Sequence, residues 1–225
     1  MSTVDRTTWR PMRFGRRASG DIEQPLIEPL WDGIRVLVHV GPAGFVRIVD
    51  EAGTDLTSRD AEVAAAITSA AGAETAVLDG YLTAQATRSG AGAVIVVAEA
   101  PTASQMVGQM VLGKSGERAI SGPVRVPELP HDGDELVAFV AVDLLEVDDT
   151  DLLDVPLLER KRLLGSVIAE SGLVRVGIYV RPPVAPWLVS WRSLAFRRIA
   201  LKAQNGRYVP GADAEDWAAA DIPRR

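Results

Sequence analysis

The chain has 225 residues, 47% of them hydrophobic, and a net charge of −6, enough apolar material for one substantial core. Cysteine is absent, which excludes disulfides and thiolate metal sites. No apolar run reaches the roughly 18–20 residues needed to span a bilayer, and no secretory signal core opens the sequence, so a cytoplasmic protein is expected.

Residues 1–20 are Arg-rich (Arg6, Arg10, Arg13, Arg16, Arg17) and read as an irregular basic lead-in to a domain over 21–225. Ile34–Val40 and Phe45–Val49 are β-rich runs joined by Gly41-Pro42-Ala43-Gly44, a hairpin pattern. Thr57 or Ser58 caps a helix from Arg59 to Ala71, which Gly72 stops. Thr75–Leu78 reads as a strand leading through Asp79-Gly80 into Tyr81–Ala84, and Val94–Ala98 as another. Gln105–Leu112 fits a short helix. Leu136–Leu145 is a strongly apolar strand candidate inside the acidic stretch 132–154. Pro156 opens a helix to Glu170, Val174–Val180 is a strand, Pro186–Phe196 a helix and Ile199–Ala203 a strand. The strands come singly and as hairpins rather than in βαβ alternation, which predicts an α+β fold with mostly antiparallel sheets.

Glu28-Pro29-Leu30-Trp31-Asp32-Gly33-Ile34-Arg35 resembles the Lys-x-Asp-Gly-x-Arg signature of ATP-dependent DNA ligases. Further blocks follow in the family's order. Arg10-Pro11-Met12 resembles its opening. Asp55-Leu56-Thr57-Ser58-Arg59 resembles Asp-x-Thr-x-Arg, and Val77-Leu78-Asp79-Gly80-Tyr81-Leu82 resembles Leu-Asp-Gly-Glu-Leu. Phe139 to Leu145 resembles Phe-x-x-Phe-Asp-Leu-Leu. Pro156 to Leu164 resembles the family's Leu-x-Glu-Arg-Arg helix, and Tyr208-Val209-Pro210-Gly211 its Tyr-x-Pro-Gly. The resemblance implies an adenylation (nucleotidyltransferase) domain with two antiparallel sheets flanked by helices around a cleft. It also implies ATP and Mg²⁺ as cofactors, and DNA or a DNA repair protein as partner. In the family an OB-fold domain follows near the point where this chain ends, so none is expected here.

The departures fall on charge-handling positions. Leu30 stands where the family's lysine attacks the α-phosphate, and a hydrocarbon side chain has no lone pair to donate. Tyr81 replaces the motif glutamate, Arg197 and Arg198 replace the Glu-Gly pair before Lys202, and Trp217 to Asp221 lacks the closing lysines. The resemblance therefore implies a degenerate ligase-like protein with no catalytic residue and no metal ligand. Its nucleotide-binding residues are expected to be Glu28 (adenine amino group), Arg35 and Lys202 (ribose or phosphates) and Phe139 (purine stacking). The alternatives are an active ligase that uses a substitute amine such as Lys202, and a non-enzymatic scaffold for a repair partner.

Gly108 to Ser115 fits G-x-x-x-x-G-K-S, the phosphate-cradling pattern, but lacks a strand before it and is followed by Gly116, Gly122 and Pro123, which break a helix. His39 and His131 are far apart and suggest no metal cluster. Trp187 and Trp191, four apart on one helix face, read as packing residues.

Overall fold

The computed structural model describes residues 6–87 and 136–223. Gly108 to Ser115, Val94–Ala98, Gln105–Leu112 and His131 lie outside the described residues. Among the described residues nine strands form two sheets. The larger runs β3 (Phe45–Asp50), β2 (Ile34–Gly41), β4 (Ala76–Thr83), β5 (Ala138–Val147), β6 (Thr150–Asp151), with β7 (Val174–Val176) also on β5. The smaller runs β1 (Pro25–Pro29), β8 (Arg198–Ala203), β9 (Trp217–Asp221). All pairings are antiparallel except β5 with β7. This is the expected α+β architecture.

The period-2 alternation of strands divides the core. One face of the large sheet sends Val36, Val38, Val40, Leu78, Leu82, Phe139, Ala141 and Leu144 against helices α1 (Ala61–Ala70) and α2 (Leu157–Val167). The opposite face carries Tyr81, Ala138, Val140 and Val142, which join Ile27 and Ile199 of the small sheet and Trp191 of α3 (Ala185–Ser193). A third cluster, with Leu37, Val77, Leu145, Tyr208 and Trp217, takes in Trp9 and Met12. The basic N-terminal segment is thus tied to the body by two apolar side chains, with Met12 N donating to Tyr208 Oη at 2.8 Å.

Several ends differ from the expected ones for local reasons. The helix expected to reach Glu170 stops at Val167, because Ala169 N donates to Ala70 O (2.9 Å) and Ile168 bridges Ala71, pinning the chain to the end of α1. The strand expected over Val174–Val180 pairs only through Val176, and Val180 instead bridges Ile27 across to the small sheet. The acidic turn after β5 is a two-residue hairpin in which Asp148 and Asp149 both have positive φ (45° and 62°), the conformation that matches strand twist. Asp148 Oδ1 accepts the backbone N–H of Glu74 (2.9 Å), so this carboxylate serves the fold.

The block at Asp55 is local too. Asp55 Oδ1 accepts from Thr57 Oγ1 (2.6 Å) and Thr57 N (3.0 Å), and Oδ2 accepts from Arg47 Nε (2.9 Å). The two Thr57 hydrogen bonds, aided by Arg47, hold the carboxyl down to about 2. A carboxyl depressed in the folded state adds stability above its unfolded pKa of ~3.9 and loses it as pH falls through the folded value. An NMR titration is expected to place Asp55 near that depressed value, and Asp55→Asn to blunt the loss of stability between about pH 4 and pH 2. An ordinary Asp titration would contradict this.

Candidate functional site

Where the small sheet faces the large one, buried strands carry charged side chains. Glu28 lies near the end of β1, Arg35 near the start of β2, Asp79 in β4, Asp143 in β5, Arg160 and Lys161 on α2, and Lys202 in β8; none is more than 7% exposed. A carboxylate or cation taken so completely from water must be paired. Arg35 grips Asp79 through two hydrogen bonds, Nε to Oδ1 at 3.0 Å and Nη2 to Oδ2 at 2.6 Å, and Tyr208 Oη donates to the same Oδ2 at 2.8 Å. Arg160 grips Asp143 in the same way, at 2.9 and 2.8 Å, and also reaches the Gly206 carbonyl. Burial works to lower the pKa of both arginines, but the charges and hydrogen bonds of Asp79 and Asp143 outweigh it and hold both guanidinium groups raised.

Glu28 is held between two ammonium groups. Lys161 Nζ lies 2.9 Å from Oε1 and donates to the Val142 carbonyl at 2.6 Å. Lys202 Nζ donates to Oε2 at 3.3 Å and sits 4.4 Å above the Trp217 ring. Lys202 is thus the more loosely paired of the two. Burial lowers its pKa most, Glu28 opposes that, and Lys161 and Arg35 reinforce the lowering. Trp217 also faces Arg35, 5.4 Å from the ring centroid, so one indole floors both cations. Among these buried groups three carboxylates (Glu28, Asp79, Asp143) meet four cations (Arg35, Arg160, Lys161, Lys202), the half-buried Asp216 also acts on Arg160, and at Glu28 two lysines share one carboxylate.

The structure brings three of the four expected nucleotide residues, Glu28, Arg35 and Lys202, into this network. Phe139 is elsewhere. It is fully buried on the opposite face of the large sheet, where its ring lies over Gly80; a β-carbon at Gly80 would come within 2.4 Å of it. Sequence reasoning did not assign Lys161, Arg160 or Tyr208 to the site. The signal for them was the pair of aspartates in otherwise apolar strands, which demand buried donors.

Leu30 follows β1 directly. Its backbone N–H donates to the Arg198 carbonyl (3.0 Å), and its side chain packs on the second apolar cluster. There Trp31 meets Phe196 edge to face with ring centroids 4.9 Å apart. Tyr81 lies in the same cluster, its phenol pushed up chiefly by burial. Arg197 and Arg198 are exposed, with Arg198 3.7 Å from Asp221.

The donor set does not fit a divalent cation. Tyr81 stands at the expected carboxylate, and Glu28, Asp79 and Asp143 are each committed to a cation. Among the described residues no group of three or more His, Asp or Glu side chains converges on a metal position. Nor, among them, is any helix long and apolar enough to cross a membrane.

Solved structures share this fold. The ligase domain of M. tuberculosis LigD superposes with a TM-score of 0.60 at 21% identity, covering 96% of this chain and 60% of that one. A mycobacterial DNA ligase D complexed with ATP and MES gives 0.59 at 22%, covering 94% and 59%. A Lig E DNA ligase, described as binding DNA with a minimal scaffold, gives 0.50 at 11%, covering 94% and 68%. The chain spans about three fifths of the two ligase D structures. No curated protein matches the sequence. The ATP-dependent DNA ligase domain family matches residues 20–178, well over half of the chain. With that match and the two-sheet architecture around a paired-charge interior, the chain belongs to the ATP-dependent DNA ligase domain family.

Proposed function

We propose that this is a ligase-family adenylation domain that holds a nucleotide reversibly and does not attach AMP to itself. The observation that carries the reading is Leu30. The position that offers an amine in the resemblance is here a hydrocarbon side chain anchored in an apolar cluster. Loss of a nucleophile in other enzymes costs about 10⁴- to 10⁶-fold in rate.

Reversible binding is supported by the excess positive charge around Glu28. Lys202 is the cation that phosphate would recruit, since Glu28 keeps Lys161 when Lys202 turns away. Glu28 and Arg35 complete the proposed contacts, Arg35 by fixing Asp79 and the floor at Trp217. That a mycobacterial ligase D was obtained with ATP supports ATP as the nucleotide. DNA or a DNA repair protein is the partner class that membership in the family suggests.

The test is calorimetric titration with ATP, followed by denaturation of the complex. ATP is expected to bind and to be recovered completely unmodified on denaturation. Lys202→Met is expected to weaken binding by about tenfold or more, the value of one charge-assisted hydrogen bond. Glu28 retains Lys161 in that variant, so the fold is expected to persist. ATP binding of equal strength in wild type and variant would remove Lys202 from the site. No heat with ATP, and no response to nicked DNA, would favour a scaffold that binds neither.

A further inference from the structure

Arg175 lies at the centre of β7, the strand that runs parallel to β5. Its register partner is Val140. Its neighbours Val174 and Val176 stand opposite Phe139 and Ala141 and belong to the cluster under α1 and α2. Alternation along the strand therefore turns Arg175 to the other face, beside the otherwise apolar row Ala138, Val140 and Val142. The residue is 1% exposed. Unlike Arg35 and Arg160, it has no carboxylate in its grip. Nε and Nη2 are buried without a hydrogen-bond partner. Glu170 supplies an opposing charge from further off, and its Oε1 already accepts Val176 N at 2.9 Å. Burial lowers the Arg175 pKa, and Glu170 restores only part of it.

Nε and Nη2 are the side-on edge of the guanidinium. Their two parallel N–H groups match two oxygens of a single phosphate or carboxylate. On the same face Trp191, fully buried, also has an indole N–H without an acceptor. Three donor atoms buried on this face, Arg175 Nε and Nη2 and Trp191 Nε1, thus have no hydrogen-bond partner. An isolated charge there is costly, and an anion is the group that would balance both the charge and the hydrogen bonds.

We propose that the free edge of Arg175 is an oxyanion-binding site, taking a phosphate or carboxylate group of a ligand lodged against the Val140 face of the large sheet. The proposal uses none of the residues of the Glu28 network, so it does not depend on nucleotide binding there.

The test is thermal unfolding of the full chain in inorganic phosphate, in acetate and in chloride at matched ionic strength, for the wild type and Arg175→Met. Phosphate or acetate is expected to raise the wild-type midpoint above that in chloride, as a ligand of the folded state must. Whichever anion gives the larger shift identifies the source as phosphate or carboxylate. Arg175→Met is expected to be at least as stable as wild type in chloride, since it removes an uncompensated buried charge, and to lose the anion-dependent shift. The proposal is overturned if neither anion shifts the wild type, if the shift survives in Arg175→Met, or if that variant is severely destabilised or unfolded, which would reveal a partner already in place. Calorimetry with Arg175→Lys adds a further arm. Lysine keeps the charge without the fork, and phosphate affinity is expected to fall about tenfold, the loss of one charge-assisted hydrogen bond; an unchanged affinity would also overturn the site.

Discussion

Arg35→Met is expected to lower the unfolding free energy by about 3–5 kcal/mol, because it strands the carboxylate of Asp79 in the interior. For a domain of this size that is a fall in melting temperature on the order of 10 °C. The reason is the geometry. Asp79 is fully buried and receives two guanidinium hydrogen bonds and the Tyr208 hydroxyl. With Arg35 gone, one neutral donor remains for a full negative charge. The double variant Arg35→Met/Asp79→Leu is expected to regain most of the loss, since it removes both charges, while Tyr208 Oη still accepts from Met12 N. Urea denaturation of the three chains measures the coupling directly. A loss below about 1 kcal/mol in the single variant would put the pair in the class of solvated ion pairs and leave Arg35 free to serve a ligand directly.

On the proposed reading, Leu30→Lys is expected to acquire a covalently attached AMP after incubation with ATP and Mg²⁺, and the wild type is expected to acquire none. The stem of a lysine can follow the path of Leu30 along Trp31 and the second cluster while its ammonium extends toward water. The fold is therefore expected to tolerate it at a cost of about 1–3 kcal/mol, the value of one partly buried apolar side chain. The reaction is expected to stay slow. Tyr81 and Arg197 still stand where the resemblance expects carboxylates, and Trp217 to Asp221 lacks the closing lysines that would neutralise charge developing on the phosphates. Single-turnover labelling of folded Leu30→Lys measures this. A complete absence of label would move the block from residue 30 to the rest of the site.

Strands and helices were legible where a single period dominated. Ile34–Gly41 and Phe45–Asp50 carry β-rich runs around a Gly-Pro-Ala-Gly turn, and they pair as expected, Val38 with Ile48. Pro25–Pro29 was passed over because prolines bound it. It is an edge strand of the small sheet, where a missing N–H is tolerated. Trp217–Asp221 was hidden by three alanines, which have low strand propensity; Trp217, fully buried beneath Lys202 and Arg35, fixes it in place. The departures at Leu30 and Tyr81 were visible from the motifs alone. What spacing did not reveal is that Asp79 and Asp143 would each take an arginine, from β2 and from α2, and that Lys161 would share Glu28 with Lys202. Those pairings join residues 17 to 174 positions apart: the pairing of β2 with β4 brings Arg35 to Asp79, that of β1 with β8 brings Lys202 to Glu28, and the packing of α2 brings Arg160 to Asp143 and Lys161 to Glu28. Nor did one face follow from strand order alone: Phe139 and Val140 are adjacent in sequence and lie on opposite sides of the sheet.

Two amines do reach the interior of the site. Lys161 is engaged on both sides, 2.9 Å from Glu28 Oε1 and donating to the Val142 carbonyl at 2.6 Å. Lys202 is more loosely held, and burial draws it toward the neutral form. The decisive measurement is therefore the intact mass of the wild-type chain after prolonged incubation with ATP and Mg²⁺, with Lys202→Met alongside. Both chains are expected to keep their unmodified mass. A wild-type gain of one AMP that disappears in Lys202→Met would contradict this, and would make Lys202 the nucleophile of a working adenylating enzyme.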